Sequence, residues 1–236
     1  MQIVVCVKPV LDPDVPSAKF KVDEGANRVI PPEGFPLVIN PYDAIAVEAA
    51  LKIKEADGGT VTVLTVGNPS CEGIIKKALA MGADEAVILS DGAFDGSDGF
   101  AIAHILAKAV EKLGSYDLVL CGRQESDWDV GMVGSVLAEY LGIPVVTRTK
   151  SVTAADGKVR VERDTALRNE TYEIGTPVLV TLSNEFGKPR IPAGKGIIMA
   201  ARKKIPVWDA ATLGVNASQV GDAAARTRLV RLYMPS

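Results

Sequence analysis

Apolar positions along the first 150 residues fall into two alternating kinds of segment. Short continuous runs rich in β-branched residues occupy Ile3 to Val7, Val61 to Val66, Ala86 to Leu89, Leu118 to Cys121 and Val145 to Thr147. Runs without a polar face predict strands buried on both sides. Between them, Ala44 to Glu55, Glu72 to Met81, Gly99 to Leu113 and Gly131 to Leu141 repeat their apolar positions at helical spacing, most clearly at Ile102, Leu106, Ala109 and Leu113. Strand and helix in alternation predict a doubly wound, mostly parallel α/β sheet. Such sheets bind ligands where strands end and helices begin, because loops converge there and helix N-termini present unpaired N–H groups.

After about residue 150 the pattern changes. Lys158 to Arg163 and Glu170 to Ile174 alternate apolar and polar side chains as a solvent-faced hairpin does, and Pro177 to Leu182 reads as another buried strand. Antiparallel strands added to the sheet are the expectation. Residues 184–204 are rich in Gly, Pro and Lys/Arg, which predicts an exposed loop running into a basic segment. Residues 210–236 hold few large apolar side chains before Leu229 to Met234, which predicts a tail folding over a partner or over the chain's own surface. The division expected is an α/β domain at 1–208 and a C-terminal extension at 209–236.

Composition narrows the function classes. With 236 residues, 47% of them hydrophobic and 23% charged, the chain can bury a sizeable core in one large domain. A formal net charge of −3 gives no global basic field, so nucleic acid is not an expected partner. No run approaches the roughly 18 apolar residues of a membrane span, and no charged region precedes a long apolar one at the start of the chain. A cytoplasmic protein is expected, or a processed protein of the mitochondrial matrix if eukaryotic, with no membrane insertion. Cys6, Cys71 and Cys121 lack the close spacing of a zinc site or a disulfide framework.

Several chemistries are missing. The segment Val7-Lys8-Pro9-Val10-Leu11-Asp12-Pro13-Asp14 stands where a dinucleotide fold would carry Gly-x-Gly-x-x-Gly, and there is no phosphate loop ending in Gly-Lys-Ser/Thr. The one histidine, His104, lies in a mostly apolar helical segment and reads as structural rather than as a general base, which removes histidine triads and histidine-rich metal sites. No catalytic side chain and no metal site is expected. A chain so poor in reactive groups reads as the holder of a cofactor that brings its own chemistry.

Three segments carry a positive signal. The run from Asp117 to Gly134 passes from a buried strand into a long polar loop and then a helix, and backbone amides at Gly131 to Gly134 suit a phosphate. Alone, it also reads as a surface loop with a glycine-rich cap. Asn40-Pro41-Tyr42-Asp43 precedes a helix, where Asn and Asp bond either an adenine edge or the helix's own amides. Thr65-Val66-Gly67-Asn68-Pro69 follows a strand and lets a ring or phosphate lie against the backbone, or simply turns the chain.

In order and spacing, these pieces resemble the electron-transfer flavoprotein beta family, which includes the FixA proteins. The residues that carry the resemblance are Val7-Lys8-Pro9-Val10, Asn40-Pro41-Tyr42-Asp43, Ala78-Leu79-Ala80-Met81-Gly82-Ala83-Asp84, the Gly122-Arg123-Gln124 loop with Asp127 and Asp129, and Pro189-Arg190 leading to a basic end. They span roughly residues 1 to 208.

The resemblance implies an adenine-nucleotide alpha-hydrolase-like fold. It also implies a heterodimer, whose alpha subunit carries a redox-active FAD and whose beta subunit holds AMP or, in electron-bifurcating relatives, a second FAD that receives hydride from NADH. Carried over by position, the cofactor site comprises Cys6, Asn40, Pro41, Tyr42, Asp43, Val66, Gly122, Arg123, Gln124, Asp127, Asp129, Val130, Gly131, Met132 and Val133. Cys6 and Val66 act mainly through backbone, and Arg123 and Asp127 as orienting polar contacts. Phe94-Asp95-Gly96-Ser97-Asp98 and Val133-Gly134 look like the bifurcating type, and tilt the expectation toward FAD. Met132 and Val130 replace a glutamine and a threonine of that type, which leaves backbone amides to meet the phosphates. The partners implied are the alpha subunit and a dehydrogenase or quinone reductase. The leucine with which the family anchors on a dehydrogenase is Gly194 here, so that anchor is expected to be lost. A stand-alone adenine-nucleotide sensor of the same fold is the other reading, and it predicts no flavin.

Overall fold

The computed structural model describes residues 1–165 and 167–234. Strand β1 (Gln2–Cys6) leads through β2 (Pro9–Val10), the β3 (Lys21–Asp23) and β4 (Arg28–Ile30) hairpin and β5 (Val38–Ile39) into helix α1 (Pro41–Asp57). Then come β6 (Thr60–Val66), α2 (Glu72–Met81), β7 (Glu85–Leu89), α3 (Gly99–Leu113), β8 (Leu118–Gly122) and α4 (Val133–Leu141). The second half holds β9 (Val145–Ala155), β10 (Lys158–Asp164), β11 (Asn169–Gly175), β12 (Val178–Leu182), α5 (Gly194–Arg202), β13 (Val207–Trp208), α6 (Ala210–Leu213) and α7 (Gly221–Ala224).

One sheet of nine strands organises the chain, in the order β11-β10-β9-β12-β8-β1-β6-β7-β13. From β9 to β13 neighbouring strands run parallel, while β10 and β11 add the antiparallel extension expected from their alternating pattern. Both faces are covered, as an all-apolar strand demands. Ile3, Val5, Val61, Val63 and Leu118 pack under α1 and α2, while Val4, Leu64, Val87 and Val119 pack under α3 and α4. The sheet is wound outward from β1, toward β6 and β7 on one side and toward β8, β12 and β9 on the other. The C-terminal ends of β1 and β8 therefore flank the topological switch point, where open α/β sheets take their ligands.

The Ala78 to Asp84 segment is explained by the α2 to β7 turn. Gly82 closes α2 at φ 130°, and Asp84 accepts from the Val61 amide at 2.8 Å and from Lys54 Nζ at 2.6 Å. Its residues are turn and brace.

Two expectations are corrected here. Residues 184–204 are not simply an exposed loop: α5 forms at 194–202 and packs on α2. Two glycines, poor helix formers, hid it from the sequence pattern. Gly196 is there because a Cβ would strike the Ala80 carbonyl, so the glycine sets how closely α5 approaches α2. The helix predicted from Gly131 begins at Val133, because Gly131 has the left-handed φ of 67°. Residues 209–227 fold across α3, and Asp98 is their anchor. One carboxylate oxygen caps α3 at Phe100 and Ala101, and the other accepts from the Arg226 and Thr227 amides and from the Thr227 hydroxyl, at 2.7 to 3.0 Å.

Arg190 ties the segment before α5 to α1. Its backbone amide and Nε reach Glu48 Oε2 at 3.0 and 2.7 Å, and its remaining nitrogens reach Glu48 Oε1 and both oxygens of Glu55. Glu48 is only 4% exposed, so removing the guanidinium strands a buried carboxylate. Arg190→Ala is expected to cost about 2–4 kcal/mol in chemical denaturation, and Glu55→Gln, at an exposed partner, less than about 1 kcal/mol.

Candidate functional site

The loops that leave β1, β6 and β8 converge at the switch point, and one carboxylate holds two of them. Asp43, in the first turn of α1, is 6% exposed. Its Oδ2 accepts from the Lys8 amide at 2.8 Å and its Oδ1 from the Gly122 amide at 2.9 Å. Asn40 completes the joint: its amide donates to the Lys8 carbonyl at 2.9 Å, its Nδ2 to the Gln124 carbonyl at 2.9 Å, and its Oδ1 accepts from the Ser126 amide at 3.1 Å. Gly122 is required by this closeness, since a Cβ there would collide with the Asp43 carboxylate and the Tyr42 backbone.

The loop from 123 to 132 is braced from within. Arg123 Nε donates to Gln124 Oε1 at 2.6 Å while its guanidinium lies 5.4 Å from the centre of the Tyr42 ring. Gln124 reaches on to Asp129, which holds a φ of 57°. Glu125 accepts from the Gly131 amide at 3.1 Å. Asp127 pairs with Lys8 Nζ at 2.7 Å and so closes the loop over the end of β1. Trp128 and Val130 are left exposed at the tip.

All fifteen residues named from the sequence thus lie on loops or element ends at one edge of the sheet. The geometry divides them by role. Asn40 and Asp43 spend their polar atoms on the loops themselves, Asp127 on Lys8, and Pro41 and Tyr42 form the first turn of α1. Arg123, Gln124, Val130 and Gly131 line a cleft of about 380 Å³. Met132 and Val133 begin α4 beside it, and Val66 ends β6 on the other side of β1.

Sequence reasoning missed the far wall of the cleft, made by Ser135, Thr147, Arg148 and Thr181. The signal available was a polar run, Thr147 to Lys150, at the end of an apolar strand. It also left Lys8 and Glu125 out of the site. Two guanidiniums, one glycine and three hydroxyl-bearing side chains around one cleft suit a phosphate-bearing ligand, and to that extent the residues present fit a nucleotide.

Cys6 and Cys121 sit side by side on β1 and β8, both buried. A hydrogen bond shared with Cys6 that favours the protonated thiol, burial, and the nearby Cys6 and Asp43 charges hold the Cys121 thiol well above its usual range. It stays protonated and unreactive at neutral pH. His104 packs edge-on against Tyr140 at 5.3 Å, and burial lowers its pKa, so the ring is neutral near pH 7.

Burial pushes the Asp43 carboxyl up to about 7, against the pull of the Lys8 amide, Asn40, the Gly122 amide and the Lys8 charge. Its folded value lies above its unfolded one, so between the two the native protein holds a proton that the unfolded chain has released. Stability is then fullest below the ordinary carboxylate range and is lost as pH rises through about 7. Urea unfolding at pH 5 and pH 8 is expected to show this decline in the wild type and a flatter profile in Asp43→Asn. A wild-type profile that rises over the same interval would contradict it.

Residues 30–213 match the family described as the electron transfer flavoprotein domain. The "Electron transfer flavoprotein subunit beta" of Thermoanaerobacterium thermosaccharolyticum is 40% identical over the full chain and 89% of its own length. The "Caffeyl-CoA reductase-Etf complex subunit CarD" of Acetobacterium woodii is 39% identical over the full chain and 88% of its own length. "Protein FixA" of Azorhizobium caulinodans is 37% identical over the full chain and 85% of its own length. With the sheet order and converging loops already described, these matches show that the chain belongs to the electron transfer flavoprotein family, among its beta-subunit and FixA members.

Proposed function

We propose that this chain binds an adenine nucleotide, AMP or FAD, across the C-terminal ends of β6, β1 and β8. In a heterodimer with its alpha subunit, it passes electrons from a dehydrogenase or NADH to an acceptor in the cytoplasm. The observation that carries this reading is the convergence of Cys6, Asn40 to Asp43, Val66 and Gly122 to Val133 on the switch point. Residues 1–208 form the nucleotide-binding domain and 209–236 its extension. A bound flavin supplies the redox chemistry. The protein's own contribution is to place the ligand: backbone at Cys6 and Val66 borders the adenosine, the joint made by Asn40 and Asp43 keeps the loops at fixed separation, and Arg123 with the amides of Met132 and Val133 meets the phosphates.

The partner surface follows from α5. The anchor position at Gly194 is bare, yet the apolar side chains around it are not buried: Ile191 is 91% exposed, and Ile197, Ile198 and Met199 are each more than half exposed. Arg202, Lys203 and Lys204 border them. An apolar patch with a basic rim suits a dehydrogenase surface that is apolar at its centre and acidic around it. The side chains next to Gly194 take the place of the missing leucine.

Two measurements test this reading. Heterodimer purified with its alpha subunit is denatured, and released FAD and AMP are counted. An adenine nucleotide in excess of the alpha subunit's one FAD is expected; its absence would remove the binding assignment. Ile197→Asp with Ile198→Asp is expected to lower the apparent affinity for the electron donor by roughly tenfold or more while nucleotide content stays the same. Unchanged donor kinetics would move the docking surface elsewhere.

A further inference from the structure

A second cavity, of about 320 Å³, lies on the α3–α4 face of the sheet and shares no lining residue with the cleft at the strand ends. Ala101 and His104 of α3 and Tyr140 of α4 form one side, and Gln219, Ala224 and Arg226 of the C-terminal segment form the other. Asp98 builds the cavity by holding that segment against α3: its Oδ2 accepts from the Arg226 and Thr227 amides at 2.7 and 2.8 Å. The volume is at the lower end of the range for small-molecule sites and well above what a single water needs.

The polar groups on this wall are donors. Arg226 is the only charged side chain among the lining residues, and its guanidinium lies 4.8 Å from the centre of the Phe100 ring, with no carboxylate paired to it among the described residues. Asp98, which could compete for that guanidinium, is spent on four backbone amides and the Thr227 hydroxyl. Gln219 uses its Oε1 on the Asn216 amide at 2.9 Å, which leaves its Nε2 to donate. The Tyr140 hydroxyl is a third donor. The rest of the wall is apolar: Ala101, Ala224 and the rings of His104 and Tyr140, which meet edge-on at 5.3 Å. His104 Nε2 is buried with no hydrogen-bond partner among the described residues, and an unsatisfied buried atom of this kind calls for a partner the chain does not supply.

We propose that this cavity is a second ligand site, which takes a small organic acid with one carboxylate and a compact apolar body. A carboxylate accepts the parallel N–H bonds of one planar guanidinium, and the Gln219 amide and Tyr140 hydroxyl stand on the same wall for its remaining lone pairs. A bare phosphate would leave the alanine and ring surfaces against water. The occupant ties Arg226 and Gln219 to α3 and α4, so binding holds the C-terminal segment down. The inference stands apart from the nucleotide reading, because the two sites share no residue.

The test is equilibrium dialysis of the heterodimer against labelled benzoate, with benzyl alcohol and inorganic phosphate as competitors. A saturable site with a Kd of about 1 mM or below is expected. Arg226→Ala is expected to weaken it about 10- to 100-fold, the scale of hydrogen bonds to a charged group, and Tyr140→Phe about 3- to 10-fold. Asp98 holds Arg226 by its backbone amide, so the substitution keeps that bond, and an unchanged melting temperature checks the fold. Arg226→Lys, which keeps the charge but not the planar fork, is expected to fall between. Benzoate is also expected to slow amide hydrogen exchange in residues 217–227, and unchanged exchange there would place it elsewhere. Saturable binding that Arg226→Ala does not weaken, or no saturable binding up to about 10 mM, would overturn the site. Benzyl alcohol or phosphate competing as well as benzoate would overturn the organic acid, leaving an apolar crevice in the first case and an anion patch in the second.

Discussion

The site depends on one buried carboxylate. Among the described residues, Asp43 is the only side chain that bonds the backbone leaving β1 and the backbone leaving β8 at once, at 2.8 and 2.9 Å. Those strands are adjacent in the sheet, but their chains depart toward opposite faces, which is what opens a crevice at a switch point. Without a tie across the opening, nothing in the sheet would fix how far apart the two loops stand. Burying a carboxylate is costly, and here two backbone amides offset part of that cost. Gly122 belongs to the same constraint, because only a residue without Cβ lets the chain pass so close to the carboxylate.

The parts of the fold legible in the sequence were those in which local pattern and tertiary environment agree. Glu72–Met81 and Gly99–Leu113 were read to the residue, since each has one apolar stripe and a recognisable end. The buried parallel strands were found because a strand covered on both faces has no polar positions to confuse the pattern. Strand β9 was read as three residues and has eleven, because past Thr147 it leaves the covered part of the sheet and alternates like its antiparallel neighbour β10. Helix α5 was missed because its glycines serve a close helix crossing, a demand set by α2 and invisible in α5's own propensities. Position on the site's near side could be carried over from a resemblance. The far wall could not, because Arg148 reaches the cleft through a bulge, and a bulge is fixed by the register of β9 against a strand some thirty residues later.

The Phe94 to Asp98 stretch shows how a motif can hold two meanings. It reads in sequence as a mark of the bifurcating type. In the structure each position has a local reason to be what it is. Phe94 is buried against the α3 side of the sheet; Gly96 at φ 76° leaves room for the Asp222 carboxylate, and Asp98 caps α3 while gripping residues 226 and 227. Ser97 receives the Gly221 amide at 2.9 Å. This stretch is the socket for the C-terminal segment, so its presence speaks to how that segment is held and only indirectly to which nucleotide is bound.

A protein that holds a redox cofactor needs rigid placement and chemically quiet walls. The quietness is built in here. The thiols nearest the switch point are buried beside each other, with Cys121 held protonated, and the lone histidine is neutral and packed against Tyr140 in the α3–α4 layer. Asp43, the carboxyl that burial lifts toward neutrality, spends both oxygens on backbone amides, and Asp127 is paired with Lys8, so these carboxylates brace the loops. The same lack of general bases and nucleophiles that left the sequence without a catalytic motif leaves the cleft walled by arginine, glutamine, hydroxyl and apolar side chains.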